Sequence, residues 1–349
     1  MQKKVRIAVI GTSPSIAHMH MQGIVDNKDA VLAAICDIDE KTLGTAMEMF
    51  SAERAVTNYR ELVNSEDIDA VVIATPDPLH LEMTSAFLKA GKHVLCEKPM
   101  ALSLEECDEM MRIEKENDKI LMIGQLCRFT PAFVKAKEIV ESGQIGDLMF
   151  VESEYAHNYK NVEGTNSWRK IPERHGFLGG GCHALDLLRW IAGDPEEVMA
   201  YANHKSLVDW PTDDTLIAIY RFPNNVAGKV FCSTGCKRNY TMRTALYGTK
   251  GTIICDNTSP TMTLFSETLP VVLEEQREGK PAYEIPQTIE LEVNNHNAAG
   301  EISIFVDAIL SGKKSPIPSI EGASTVAACC ATIQASQEGK VVKIQYPQV

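Results

Sequence analysis

His93-Val94-Leu95-Cys96-Glu97-Lys98-Pro99 reads as a short buried strand, His93 to Cys96, closed by a charged pair and a proline. The same pattern recurs on both sides of it. Val5 to Ile10 is a continuous, β-branched apolar run, followed by a turn at Gly11 to Ser15 and a helix over Ile16 to Asp26. Val31 to Cys36 is a second such run and ends at Asp37; Lys41 to Phe50 has helical character. Ala70 to Ala74 stops at Thr75-Pro76, and a helix from Leu79 to Ala90 is closed by Gly91. Downstream, Ser103 and Glu106 form a capping box ahead of another helix, and Ile120 to Ile123 is one more strand. Strands that are apolar throughout must be covered on both faces. Alternated with helices, they predict an α/β unit with a parallel, doubly wound sheet over residues 1–124.

After Gly124 the texture changes. A long helix follows Pro131 to about Glu141, and then come strands of alternating character: Leu148 to Glu154, Thr215 to Arg221, Val226 to Cys232 and Arg243 to Tyr247. Helices are expected around Gly181 to Ile191 and Ala323 to Glu338, and Ser266 to Gln287 reads as a surface excursion. This half, residues 125–349, is expected to be a second, α+β domain with a large open, mainly antiparallel sheet covered by helices on one face.

A chain of 349 residues is long enough for two such cores. Its formal net charge of -13 argues against a nucleic-acid partner, which needs a basic footprint. No apolar run reaches the roughly 18 residues of a membrane span. Met1-Gln2-Lys3-Lys4 leads directly into the first strand, leaving no room for a signal peptide and pointing to the cytoplasm. The ten cysteines are scattered: Cys232 and Cys236 are too far apart for a Cys-x-x-Cys pair, and Cys329 and Cys330 are adjacent. Reduced thiols and no metal site are expected.

The strand-turn-helix at residues 5–26 stands where a dinucleotide fingerprint would lie. Of the usual glycines only Gly11 is present; Thr12, Ser13, Pro14 and Ser15 follow, and Ile16 opens the helix. Free amides at a helix N-terminus, with small residues around them, suit a pyrophosphate. Asp37 ends the second strand at about the spacing of a ribose-binding acid; it would hold both ribose hydroxyls and repel a 2′-phosphate. A capping or solvated aspartate is the plainer reading of that residue. Thr75-Pro76 and Glu97-Lys98-Pro99 both lie at carboxyl ends of strands, the edge where open parallel sheets bind ligands.

Longer stretches resemble one family. Ala74-Thr75-Pro76-Asp77-Pro78-Leu79-His80 and Ala90-Gly91-Lys92-His93-Val94-Leu95-Cys96-Glu97-Lys98-Pro99 are similar to the Gfo/Idh/MocA oxidoreductases. So are Gly124-Gln125, Arg128-Phe129-Thr130-Pro131, Gly143-Gln144-Ile145-Gly146-Asp147, Trp168-Arg169, Gly179-Gly180-Gly181-Cys182-His183-Ala184-Leu185-Asp186 and Gly248-Thr249-Lys250-Gly251. The resemblance implies a Rossmann domain and a C-terminal domain whose open sheet forms a subunit interface, giving a homodimer or homotetramer. It implies hydride transfer between NAD and an alcohol or ketone of a polyol, sugar or glycoside. Lys98 and His183 take the catalytic positions. Thr75, Pro76, His80, Glu97, Lys98, Gln125, Trp168 and Arg169 join the turn and Asp37 as cofactor residues. Lys98, Arg128, Tyr155, His157, His183 and Asp186 are the expected substrate residues, with His175 an outside candidate. Two departures stand out: the first turn lacks two glycines, and Gly179 replaces an aspartate that many members carry four residues before the histidine.

Oxidising a secondary alcohol requires a base for the hydroxyl proton, and a lysine serves only where burial or positive charge lowers its pKa. Lys98 and His183 are expected to share that hydroxyl. Two rival readings remain open at this point: a glycoside-processing enzyme that recycles tightly bound NAD through oxidation, elimination and reduction, and a sensor that binds NAD and sugar without turnover. Asp37, with no arginine directly after it, predicts NAD binding at least about tenfold tighter than NADP, roughly 1.4 kcal/mol. Calorimetric titration with both cofactors checks this; equal affinities refute it.

Overall fold

A computed structural model describes residues 4–162, 167–275 and 277–348; Met1 to Lys3, ahead of the expected first strand, and Gln276, in the expected surface excursion, lie outside them. The chain divides into two units, residues 1–126 with 297–326 and 347–349, and residues 127–296 with 327–346. Each is described in turn.

The first unit holds a six-stranded sheet: β1 (Val5–Ile10), β2 (Ala30–Cys36), β3 (Ala55–Val56), β4 (Ala70–Ile73), β5 (His93–Glu97) and β6 (Leu121–Gly124). The order is β3-β2-β1-β4-β5-β6 and every pairing is parallel, the doubly wound Rossmann arrangement whose strand order reverses between β1 and β4. Its helices are α1 (Ile16–Asp26), α2 (Glu40–Phe50), α3 (Arg60–Val63), α4 (His80–Lys89) and α5 (Leu104–Asn117). In the capping box at α5, Ser103 Oγ accepts the Glu106 N–H, while the Glu106 carboxylate accepts the Leu102 N–H rather than that of Ser103 itself.

Register turns this sheet into a platform. Ile10 pairs with Cys36 and with Ile73, Ile73 with Cys96, and Cys96 with Ile123. The next residue in each strand therefore lines the same carboxyl edge: Gly11, Asp37, Ala74, Glu97 and Gly124. Gly11 is required there. Its φ is +90°, and a Cβ would stand 2.5 Å from the Ala74 carbonyl oxygen.

One segment returns to this unit against expectation. Asn297 to Val326, read as part of the second domain, packs with the first. It carries α9 (Ala298–Ser311), which the sequence reading missed, and the start of α10 (Ser319–Glu338), one turn earlier than expected. α9 lies on α1 because Gly23 has no side chain: a Cβ there would be 3.0 Å from the Ala299 Cα. Close packing of two helices at a glycine leaves no periodic mark in the sequence.

The second unit is built on a nine-stranded sheet: β7 (Leu148–Ala156), β8 (Glu197–Asn203), β9 (Thr215–Arg221), β10 (Ala227–Ser233), β11 (Arg243–Gly248), β12 (Gly251–Asp256), β13 (Thr261–Ser266), β14 (Gln287–Glu290) and β15 (Val342–Lys343). The order is β14-β13-β12-β11-β7-β10-β9-β8-β15, antiparallel except for the parallel pair β7 and β10. Helices α6 (Pro131–Glu141) and α7 (Cys182–Ala192) belong to this unit, with the short α8 (Val271–Glu274) in the surface excursion. Alternation along β9 separates two faces. Leu216, Ala218 and Tyr220 are buried, whereas Ile217 and Ile219 are exposed. Ile217 pairs with Tyr201 on β8 and Phe231 on β10, so the outer face carries a row of apolar side chains. Beside it lies the Lys229–Glu152 ion pair.

Candidate functional site

At the edge of the first sheet, Asp37 closes the turn after β1. Its Oδ2 accepts the Thr12 N–H at 2.8 Å and the Thr12 hydroxyl at 3.1 Å, while Oδ1 accepts the Asp39 N–H. Ser15 starts α1 without a side-chain cap, so the first helical amides are open to an anion. A glycine turn, uncapped helical amides and a carboxylate on the adjacent strand, all at the point where strand order reverses, are the donor set a dinucleotide requires. Ser13 and Ile16 are half-buried in this turn, with Pro14 and Ser15 exposed.

Two neighbouring loops are tied together by His80. Its Nδ1 lies 2.9 Å from the Pro99 carbonyl oxygen and its Nε2 3.1 Å from that of Thr75. Carbonyls only accept, so both nitrogens donate and the ring is an imidazolium. Burial pushes its pKa down, but the neighbouring Cys96 and Asp77 and the Pro99 carbonyl outweigh that and raise it to about 10. His80 was expected at the cofactor. It is fully buried with both nitrogens committed to carbonyls, so it holds the Thr75-Pro76 loop against the Glu97-Lys98-Pro99 loop instead. His93 and His175 show the opposite case: each Nδ1 accepts a backbone N–H, and burial pushes both pKa values down to about 4.

Glu97 is buried, with Oε1 on His20 Nε2 at 2.8 Å and Oε2 accepting the Lys98 N–H at 3.1 Å. Burial raises this carboxyl, but the His20 hydrogen bond and the Lys98 charge hold it below the usual carboxylate range. Glu97 thus fixes the backbone from which the half-buried Lys98 side chain departs. Gln125 follows β6, and its amide donates to Thr325 Oγ1 on α10 at 3.1 Å.

In the second unit, His183 opens α7 directly after one turn of π-helix, Phe177–Gly181. Tyr155, near the end of β7, stacks on it with ring centroids 5.7 Å apart and planes 16° from parallel. Cys127 Sγ lies 3.3 Å from His183 Nδ1. The Tyr155 hydroxyl is 3.0 Å from both His157 Nδ1 and Tyr159 Oη. Tyr240 and His296 continue the cluster, stacked on each other at 5.5 Å. Of these, Cys127, Tyr159, Tyr240 and His296 escaped the sequence reading. Tyr155, His157 and Tyr159 recur at every second residue, and His296 sits in the polar run Asn294-Asn295-His296-Asn297, which are the signals available for them.

The three glycines make this arrangement possible. At Gly180 a Cβ would overlap the Tyr155 ring and lie 2.7 Å from Tyr159 Oη; at Gly181 it would be 2.8 Å from Phe177 Cδ2. At Gly179 it would fall inside the Arg174 guanidinium. The position expected to lack an acid therefore faces a buried cation. Arg174 also lies over the Trp168 ring at 4.8 Å, with Arg169 over the same ring at 4.2 Å. Arg128 and Asp186, both expected at the substrate, form a buried two-point ion pair of 2.9 and 2.7 Å.

A Rossmann sheet with this edge defines a dinucleotide-binding protein. The family model described as "Oxidoreductase family, NAD-binding Rossmann fold" matches residues 5–125, and "GFO/IDH/MocA C-terminal domain" matches residues 133–254. The chain belongs to the Gfo/Idh/MocA oxidoreductases. It is 29% identical to myo-inositol 2-dehydrogenase of Thermotoga maritima over 351 residues, covering 97% of this chain and 98% of that one. It is 28% identical to levoglucosan dehydrogenase of Pseudarthrobacter phenanthrenivorans over 253 residues, 64% of each chain. A solved levoglucosan dehydrogenase in complex with NADH shares the fold, with a TM-score of 0.88 at 22% identity over 99% of this chain and 100% of that one.

Two predictions rest on this geometry. The His80 pKa is raised from 6.5 to about 10, so the proton's contribution to stability is full below about 6.5 and is lost as pH rises toward about 10. Denaturation followed from about pH 6.5 to 8.5 should show wild-type stability falling relative to His80→Gln by up to about 1.4 kcal/mol per pH unit; parallel curves would contradict an imidazolium. Gly180→Ala should lower stability by about 1–3 kcal/mol through overpacking against Tyr155, read as a lower urea midpoint with an unchanged m-value.

Proposed function

We propose that the chain is an NAD-dependent dehydrogenase of a secondary alcohol on a cyclitol or sugar, with Lys98 and His183 handling the hydroxyl proton. The observation that carries this reading is the placement of Lys98. It follows directly from a buried, hydrogen-bonded carboxylate at the ligand edge of an NAD-binding sheet. Bound NAD supplies the hydride acceptor at its nicotinamide. The turn at residues 11–15, Asp37, Thr75, Pro76 and Gln125 bind the cofactor, with Trp168 and Arg169 assisting. Lys98 and His183 hold and move the alcohol proton, one as base and the other as hydrogen-bond partner.

The second unit's residues support a hydroxyl-rich, uncharged substrate. Tyr155, His157, Tyr159, Tyr240 and His296 combine ring faces with polar edges, which suits the C–H faces and hydroxyls of a cyclitol or sugar. Arg128 and Asp186 offset each other's charge. A relative aligned over nearly the whole chain is named for myo-inositol and another for levoglucosan, both rings of this chemistry. No helix is long and apolar enough to cross a membrane among the described residues. We place the protein in the cytoplasm, on the strength of ten cysteines, eight buried and two partly buried, with no disulfide among the described residues.

We further propose a homodimer or homotetramer formed through the outer face of the nine-stranded sheet. An apolar row of Tyr201, Ile217 and Phe231 with Ile219 beside it is the kind of surface that symmetric assemblies cover. Light scattering should show a dimer or tetramer at micromolar concentration, and Ile217→Glu with Ile219→Glu should reduce it to a monomer. A monomeric wild type refutes the assignment.

Lys98→Ala should lower turnover by at least about a hundredfold, the range expected for losing acid-base help, while NAD affinity measured by calorimetry changes far less. His183→Ala should be severely impaired as well. If Lys98→Ala keeps near-normal turnover while His183→Ala is inactive, the lysine only positions the substrate. If both turn over normally, the chemistry lies elsewhere.

A further inference from the structure

Behind the strand end that carries Lys98, three titratable side chains from distant segments meet: His20 of α1, Glu97 of β5 and Glu301 of α9. They are 0%, 4% and 0% exposed. His20 Nε2 lies 2.8 Å from Glu97 Oε1 and 3.9 Å from Glu301 Oε2, and one donor atom from each residue lies within 4.8 Å of the other two. Glycines permit the approach. Gly23 lets α1 close on α9, and at Gly124 a Cβ would stand 3.2 Å from the Glu97 carboxyl.

The three are not equally satisfied. Both Glu97 oxygens accept hydrogen bonds, from His20 and from the Lys98 N–H. Neither carboxylate oxygen of Glu301 has a hydrogen-bond partner, nor has His20 Nδ1. Among the described residues the basic side chain within ion-pair reach of Glu301 is His20; no lysine or arginine reaches it. A buried polar group left without a partner costs about 1–3 kcal/mol and an unpaired carboxylate more. Such a group is retained where something else satisfies it.

Two carboxylates and one imidazole are a donor set for a divalent first-row metal ion. Zinc holds such atoms at about 2.0–2.2 Å, so two donors on one ion stand about 3.3–3.6 Å apart at the tetrahedral angle. The His20–Glu97 and His20–Glu301 separations of 2.8 and 3.9 Å lie on either side of that value, and shifts of about half an ångström bring both donors to it. The charges also close, since two carboxylates neutralise one dication.

We propose that His20 Nε2, Glu97 Oε1 and the Glu301 carboxylate bind one divalent ion, zinc or manganese, in the interior of the first unit. Binding displaces two protons to solvent, the one between His20 Nε2 and Glu97 and the one that burial and the Glu97 charge hold on the Glu301 carboxyl, and the imidazole coordinates through Nε2 with its N–H on Nδ1. The ion ties α1 and α9 to the end of β5. Through the second oxygen of Glu97 it steadies the backbone of Lys98. It plays no part in the redox step. Because all three ligands are buried, the ion enters as the chain folds and exchanges slowly.

The test uses the full chain, expressed with zinc and manganese in the medium, purified without chelator and desalted. Mass spectrometry should find close to one ion per chain in the wild type, and Glu301→Gln and His20→Asn should each retain at least about tenfold less. Unfolding the wild type in chelator and refolding it without metal should lower its melting temperature, and returning either metal during refolding should restore it. Glu301→Gln should show neither change, with circular dichroism reporting that it is folded. A wild type with less than about a tenth of an ion per chain overturns the proposal, as does equal metal in wild type and Glu301→Gln. In either case Glu301 is a buried neutral acid, its carboxyl raised by burial and by the Glu97 charge.

Discussion

A parallel sheet presents its ligands at the carboxyl edge, where the chain leaves regular hydrogen bonding and its loops must be held by side chains. In the first unit that task falls on His80. One ring donates to the Pro99 carbonyl and to the Thr75 carbonyl, fastening the loop after β5 to the loop after β4. A neutral histidine could satisfy only one of these acceptors and would leave the other buried and unpaired. The imidazolium is therefore as much a part of the architecture as the strand order, with Asp77 and Cys96 keeping its charge in place.

Glu97 gives the same edge its chemistry. Its position beside Gly124 is possible only because that residue lacks a side chain. One oxygen reaches inward to His20 and the other outward to the Lys98 amide. A buried carboxylate with both oxygens engaged cannot rotate without breaking a charge-assisted hydrogen bond, so the residue that follows inherits a fixed backbone. Glu-Lys-Pro thus works as a unit: the acid anchors, the lysine is presented, and the proline supplies a carbonyl to His80.

The second unit solves a packing problem by removing side chains. Three consecutive glycines would weaken an ordinary helix. Here they form one π-helical turn whose bare surface accepts Arg174, Tyr155 with Tyr159, and Phe177 in succession. The result is a histidine at the start of α7 with a tyrosine flat against its ring. Gly179 is then not merely a missing acid, because its space is taken by a guanidinium.

The sequence by itself determined the alternation of strands and helices in the first unit, because strands covered on both faces are apolar throughout and end abruptly in Gly, Asp, Thr-Pro and Glu-Lys-Pro. It also determined the Asp37 and Lys98 positions at one edge, since parallel pairing places all strand ends together, and its motifs marked the family. Tertiary structure alone decided what the polar residues do. Nothing local distinguishes His80 as a clamp from a ligand, and Arg128 and Asp186 are 58 residues apart yet form a buried pair. The return of α9 to the first unit was equally hidden. Its contact with α1 depends on Gly23 meeting Ala299, and its Glu301 meets His20 and Glu97 from across the chain. Periodicity reports which face of an element is buried, but not against what. The partners of a buried charge are set by long-range packing, which local sequence pattern does not encode.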